Sequence, residues 1–146
     1  MKKLILIAFV FILAACSFGT KSELARNQEK WQNANITHYR FNLSVGCFCV
    51  FRSNMPLSIE VKDGQIVSMK FSDGADVNEN DRAIFEQYAP LEKLFDFTSQ
   101  QMKSADEVKV TYNATYGFSE DVSIDAIKQA TDDELYLNVS GFEALQ

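Results

Sequence analysis

Six stretches of the chain alternate between apolar and polar residues, and two others carry apolar residues every three to four positions. Ser22 stands as a cap before the first periodic stretch, Glu23 to about Ala34, where Leu24, Gln28 and Trp31 share one helical face. Trp31 reads as core rather than as part of a ligand site. The period then drops to two. Tyr39, Phe41, Leu43 and Val45 alternate with His38, Arg40, Asn42 and Ser44, the pattern of a half-buried strand. After a loop at Arg52 to Pro56, Leu57, Ile59 and Val61 alternate with Ser58, Glu60 and Lys62. Asp63-Gly64 between alternating runs predicts a two-residue type I′ hairpin turn, because both positions need positive φ. Val67, Met69 and Phe71 continue the inward face on the return strand.

Residues 73–81 are a polar break, read as loop. Its Asp76-x-Asn78-x-Asn80 spacing looks like the start of a calcium loop. However, Asp81 stands where glycine is needed, and Gln87 where the bidentate glutamate is needed. Pro90 suits the first residue of a second helix, with Leu91, Leu94, Phe95, Thr98 and Met102 on one face. Strand alternation resumes at Val108, Val110 and Tyr112, then at Val122, Ile124 and Ala126, and last at Leu135, Leu137 and Val139. The order is helix, three strands, helix, three strands. It predicts an α+β fold in which two helix-plus-three-strand halves form an antiparallel sheet with the helices packed on one face.

The first residues stand apart from this pattern. Lys2 and Lys3 precede an apolar run, Leu4 to Leu13, that is shorter than the roughly 20 residues a membrane span needs. Ala14, Ala15 and Cys16 follow, completing the outline of a secretory signal peptide. The tetrad Leu13-Ala14-Ala15-Cys16 resembles the bacterial lipobox. That resemblance implies a lipoprotein signal peptide at 1–15, cleavage before Cys16, and lipid on the Cys16 thiol and on the new N-terminus. Two or more acyl chains hold a protein stably, where one holds it only marginally. Residues 16–22 then form the lipidated cysteine and its tether, and 23–146 a single α+β domain. The tether from Ser17 to Ser22 reaches roughly 20 Å when extended, so the domain stays close to its membrane. Ser17 rather than aspartate follows the cysteine. In an organism with two membranes this implies the outer membrane, facing the periplasm.

Charge narrows the partners. Loss of Lys2 and Lys3 with the signal peptide leaves 12 basic and 20 acidic side chains, a net charge of −8. Nucleic acid is excluded as a partner, since neutralising phosphates needs a basic face. Anionic lipid head groups would repel the domain weakly. With 12 Phe and 5 Tyr the chain forms a core without staples.

Cys47 and Cys49 are the sharpest chemical feature. With Cys16 taken by lipid they are the only free thiols, and they stand in an oxidising compartment if the chain is exported. They share the parity of Tyr39 to Val45, so an unbroken strand points both inward. Side chains two apart in a strand lie roughly 6.5 Å from each other, too far for the 3.5 to 4.5 Å between the Cβ atoms of a disulfide. Bonding them requires a bend, which Gly46 permits. A local disulfide that fixes the loop between the first two strands is the expected outcome, with two buried thiols and a metal site as the alternatives. The metal needs more ligands, and His38, the only histidine, has the opposite parity. A disulfide there closes almost no loop and adds little chain-entropy stability. If strained, it is easily reduced.

Asp125, Asp132, Asp133 and Glu134 form an acidic cluster. Close carboxylates bind calcium or act as an acid/base pair. Turn chemistry, with the Asp residues closing a hairpin and staying solvated, is the preferred explanation, because no partner base or nucleophile is identifiable. His38 reads as a surface side chain. Nucleophile-elbow, P-loop and dinucleotide motifs are absent from the sequence, so no catalytic residue, cofactor or metal is assigned. Four Asn-x-Ser/Thr sequons, at Asn35, Asn42, Asn113 and Asn138, read as chance.

Several short motifs resemble a family of uncharacterised bacterial proteins, many of them lipoproteins carrying a domain of unknown function with a Cys-x-Cys motif. In the first half they are Trp31, Ile36-Thr37-His38-Tyr39-Arg40-Phe41, Cys47-Phe48-Cys49 and Val61-Lys62-Asp63-Gly64-Gln65-Ile66. In the second they are Leu94-Phe95-Asp96, Val108-Lys109-Val110-Thr111-Tyr112-Asn113, Gly117-Phe118, Ile124-Asp125 and Asp132-Asp133-Glu134. The resemblance spans most of residues 31–142. Val50 stands where the family often has proline after the second cysteine, and Ser119 where it has proline two residues after the glycine. Loop shapes at those points are not carried over, and the resemblance implies no activity. The expectation is a lipid-anchored envelope lipoprotein acting as a non-enzymatic binding module, partnered by the membrane and by an envelope protein or another envelope component. The alternative is a thiol/disulfide redox role through Cys47 and Cys49.

Overall fold

The computed structural model describes residues 21–145. The expected signal peptide, the lipidation site Cys16 and all but the last two residues of the tether lie outside the described residues. Helix α1 (Glu23–Asn33) starts where its cap predicts, with Ser22 Oγ accepting the Ala25 N–H at 3.2 Å. Next come β1 (His38–Gly46), a 3-10 turn at Arg52–Asn54, β2 (Leu57–Lys62) and β3 (Gln65–Lys70). They are followed by α2 (Glu79–Phe85), α3 (Leu91–Ser104), β4 (Glu107–Tyr112), β5 (Ser119–Asp125) and β6 (Glu134–Ala144). The strands form one six-stranded antiparallel sheet in the order β3-β2-β1-β6-β5-β4. Each half is a meander, and the halves join where the first strand pairs with the last. The fold is α+β with an open sheet, as the alternation predicts.

The sheet has one apolar and one polar face because pairing keeps like parities together. Phe41 faces Ile59, Leu43 faces both Leu57 and Val139, and Val45 faces Leu137. All seven are buried, beneath Trp31 of α1, Phe85 of α2, and Leu91, Leu94 and Phe95 of α3. Trp31 is the hub. It meets Tyr39, Phe118 and Phe142 edge-on, at ring distances of 5.2, 6.0 and 5.8 Å. Its Nε1–H donates to Glu92 Oε1 at 2.7 Å, and the Tyr39 hydroxyl donates to Glu92 Oε2 at 3.2 Å. The same hydroxyl accepts the Leu91 N–H at 3.1 Å. Burial, then the Glu92 carboxylate, push the Tyr39 phenol far above its ordinary value, so it stays protonated and donating. This network ties α1, β1 and the first turn of α3 together.

Several details depart from the sequence pattern. Met102, in the last turn of α3, is 45% exposed instead of sharing the buried face of Leu91, Leu94, Phe95 and Thr98. Helix α2 begins inside the polar break and runs past it, and only its Phe85 is buried, too little apolar signal to show a period. Asn78, read above as part of a failed calcium loop, caps this helix by accepting the Asp81 N–H at 3.1 Å. Pro90 lies just outside α3 as its extended cap residue instead of opening it. Val67 is 54% exposed rather than inward, because β3 bulges opposite Glu60 and Val61 and turns Ile66 to the core instead. Finally, β6 runs past Val139 to Ala144. A bulge, with Gly141 at φ 58°, inserts one residue against β1 and returns Phe142 to the apolar face. The Asp63-Gly64 turn has both residues at positive φ, 50° and 73°, as expected. Among the described residues, no helix is long and apolar enough to cross a membrane.

Candidate functional site

The ends of β1 and β5 and the start of β6 bring three features together at one end of the sheet: the cysteine loop, the acidic turn and a lone exposed tyrosine. β1 ends at Gly46, and the chain bends at once, as bonding the cysteines requires. Cys47 and Cys49 are joined by a disulfide with their Cα atoms 5.2 Å apart. Both are half-buried, so the inward parity expected of an unbroken strand stops at Val45. The bridge leaves the intervening Phe48 86% exposed and Val50 85% exposed. Phe51 then turns in and packs edge-on against Phe85 at 5.2 Å, anchoring the far side of the loop.

The acidic cluster is an organised turn. Asp125 pairs with Glu134 across the β5–β6 ladder, and Asp133 Oδ2 accepts the Ile127 N–H at 2.7 Å. Asp106 Oδ2 accepts the Lys128 N–H at 3.0 Å from the other side. Asp132 occupies the left-handed region at φ 67°. Loss of solvent first, then the charges of Asp133 and Glu134, raise the Asp125 carboxyl above its usual value. An acid with a raised folded pKa favours the folded state less once it ionises, so its penalty is present at neutral pH and fades as pH falls through that pKa. Asp125→Asn should therefore raise the urea midpoint at neutral pH and lose that advantage in acid. A variant less stable than the parent at neutral pH would contradict this. Among the described residues, no group of three or more His, Cys, Asp or Glu side chains is placed to hold a metal ion.

Tyr136 is the feature that sequence reasoning missed. Its outward parity in the Leu135, Leu137, Val139 run is the one signal for it in the sequence. Its side chain stands on the polar face, with Gly46 opposite on β1 and Ser123 opposite on β5. A Cβ on Gly46 would approach Tyr136 Cβ to 3.3 Å, so glycine there makes room for the ring. A cleft of about 210 Å³ lies between the loop and the turn, lined by Gly46, Cys47, Arg52, Asp132, Glu134 and Tyr136. His38 is at the opposite end of the sheet, its Nε2 2.8 Å from Glu60 Oε1, and takes no part. Helix α1 also sits at that opposite end. Lys30 Nζ reaches the Ala114 carbonyl, and α1 packs against Gly117 in the β4–β5 connection. The N-terminal segment thus enters the fold away from the cysteine loop.

The model of a family described as a family of unknown function (DUF6174) matches residues 23–144, and the chain belongs to that family. No curated protein and no solved structure matches it.

Proposed function

We propose that this member of a family of unknown function is a lipid-anchored, non-enzymatic binding module of a bacterial envelope, held to the membrane through Cys16 and engaging an envelope component with the cysteine-loop end of its sheet. The observation that carries the reading is the loop itself. A disulfide and an inward Phe51 hold two large apolar side chains, Phe48 and Val50, in solvent. Exposed apolar groups on a rigid support, next to a cleft with a few charged groups, are the makings of a binding surface. The tether joins at the other end of the sheet, so lipid on Cys16 leaves the loop facing away from the parent membrane. In an organism with two membranes, Ser17 directs the chain to the outer one, facing the periplasm. A photo-cross-linking residue at position 48 of the membrane-held chain should give a discrete adduct. Its absence would count against the reading.

The second reading is thiol/disulfide exchange, favoured by the half-buried rather than buried state of both cysteines. A partner dithiol would deliver two electrons and two protons, leaving Cys47 and Cys49 as thiols and the partner as a disulfide. Ready, reversible reduction by a mild dithiol buffer, read as a mass gain of about 2 Da, supports it. Resistance to such a buffer leaves the bridge as a fixed support for Phe48.

A further inference from the structure

The polar face of the sheet carries a second cleft, of about 220 Å³, that shares Gly46 and Tyr136 with the first. The side chains around it follow from the register. Across β1, β6, β5 and β4 one row reads Gly46, Tyr136, Ser123 and Lys109, and the next reads Ser44, Asn138, Asp121 and Thr111. One aromatic ring, 56% exposed, thus stands beside a field of short hydroxyls, an amide and a carboxylate. The carboxylate is held in place: Asp121 Oδ1 accepts Asn138 Nδ2–H at 2.8 Å, and Asp121 Oδ2 accepts the Thr111 hydroxyl at 3.0 Å.

We propose that this cleft binds an uncharged oligosaccharide, one sugar stacking its C–H face on Tyr136 while its hydroxyls bond to Asp121, Asn138 and the flanking serines. Sugars combine an apolar ring face with a rim of donors and acceptors, and the cleft offers both at adjacent rows. A peptide strand fits poorly. The cleft lies over β1, β6 and β5, interior strands paired on both sides, so they have no free ladder positions for strand addition. An anionic ligand is opposed by Asp121 here, where Lys109 is paired with Glu107 at 3.0 Å, and by Asp132 and Glu134 in the adjoining cleft, where they outnumber Arg52. The adjoining cleft carries the groove on from Tyr136 toward Phe48, giving a chain of several sugars a second apolar contact. This inference rests on the binding-module reading and names the ligand class for the open face of the same site.

The test is titration of the detergent-solubilised full chain with soluble hexasaccharides, cello-oligosaccharide and N-acetylglucosamine oligomer as uncharged probes and a sulfated oligosaccharide as the anionic one. An uncharged hexasaccharide should bind at millimolar Kd or tighter. Tyr136→Ala and Asp121→Ala should each weaken it about tenfold or more, while Tyr136→Phe stays within about threefold, because ring stacking does not need the hydroxyl. Circular dichroism establishes that each variant remains folded. No binding of either uncharged probe, tighter binding of the sulfated one, or indifference to Tyr136→Ala would overturn the inference. If a cross-link from position 48 persists while no sugar binds, the glycan fails and the binding module stands. If both are absent, both fail.

Discussion

Trp31→Ala should cost about 3–5 kcal/mol of folding stability, at the top of the range for truncating a buried side chain. The ring is 3% exposed and touches three other aromatic rings from both halves of the sheet: Tyr39 on β1, Phe118 leading into β5, and Phe142 on β6. Its removal opens a cavity where the meanders meet and takes one of two donors from Glu92. Total stabilities of small domains are about 5–15 kcal/mol, so this loss leaves little. Trp31→Phe keeps most ring contact and loses only the indole donor, at a cost of about 1–2 kcal/mol. Urea unfolding followed by circular dichroism separates the two, because Trp31 is the only tryptophan and fluorescence is lost with it. A loss below about 1 kcal/mol for the alanine variant would mean that α1 is not the keystone of the core.

Cys16→Ala should abolish membrane attachment through lipid and signal processing at that site. The chain has one cysteine at a lipobox-like position. With neither lipid transfer nor cleavage there, the variant should keep residues 1–15 and carry no acyl chain, a mass distinct from that of the processed lipoprotein. Fractionation of membranes with mass analysis of the product reads this directly. Unchanged retention with the same processed mass would exclude the lipobox.

The alternation of apolar residues made most of the sheet legible. Tyr39 to Val45 and Leu57 to Val61 each keep one parity through an unbroken ladder, and the pairing confirms them. What stayed hidden is what breaks parity or lacks an apolar signal. The bulges at Val67 and Gly141 each add one residue that neighbours pair around, so Val67 reads as inward and Phe142 falls outside the strand pattern. Helix α2 is held by the Asn78 cap and by Arg82, which donates to the Ile66 carbonyl at 2.8 Å, neither of which has a periodic signature. The cysteine pair was legible as chemistry, with a disulfide preferred over buried thiols and a metal site, and the pair is bonded. That the strand ends at Gly46, turning Phe48 outward, was not, because parity cannot show where a strand stops. The acidic cluster was legible as turn chemistry, and Asp133 and Asp106 do bond to turn amides.

Cross-linking from position 48 in intact envelopes tests the binding module most directly, with position 62 as the reference. Phe48 is at the loop end of the sheet, and Lys62 is exposed at the far end, where β2 meets the Asp63-Gly64 turn. A discrete adduct from position 48, absent from position 62 and lost when Cys47→Ser and Cys49→Ser release the loop, is the expected result. No adduct from position 48, or the same adducts from both positions, would contradict a binding surface at the cysteine loop.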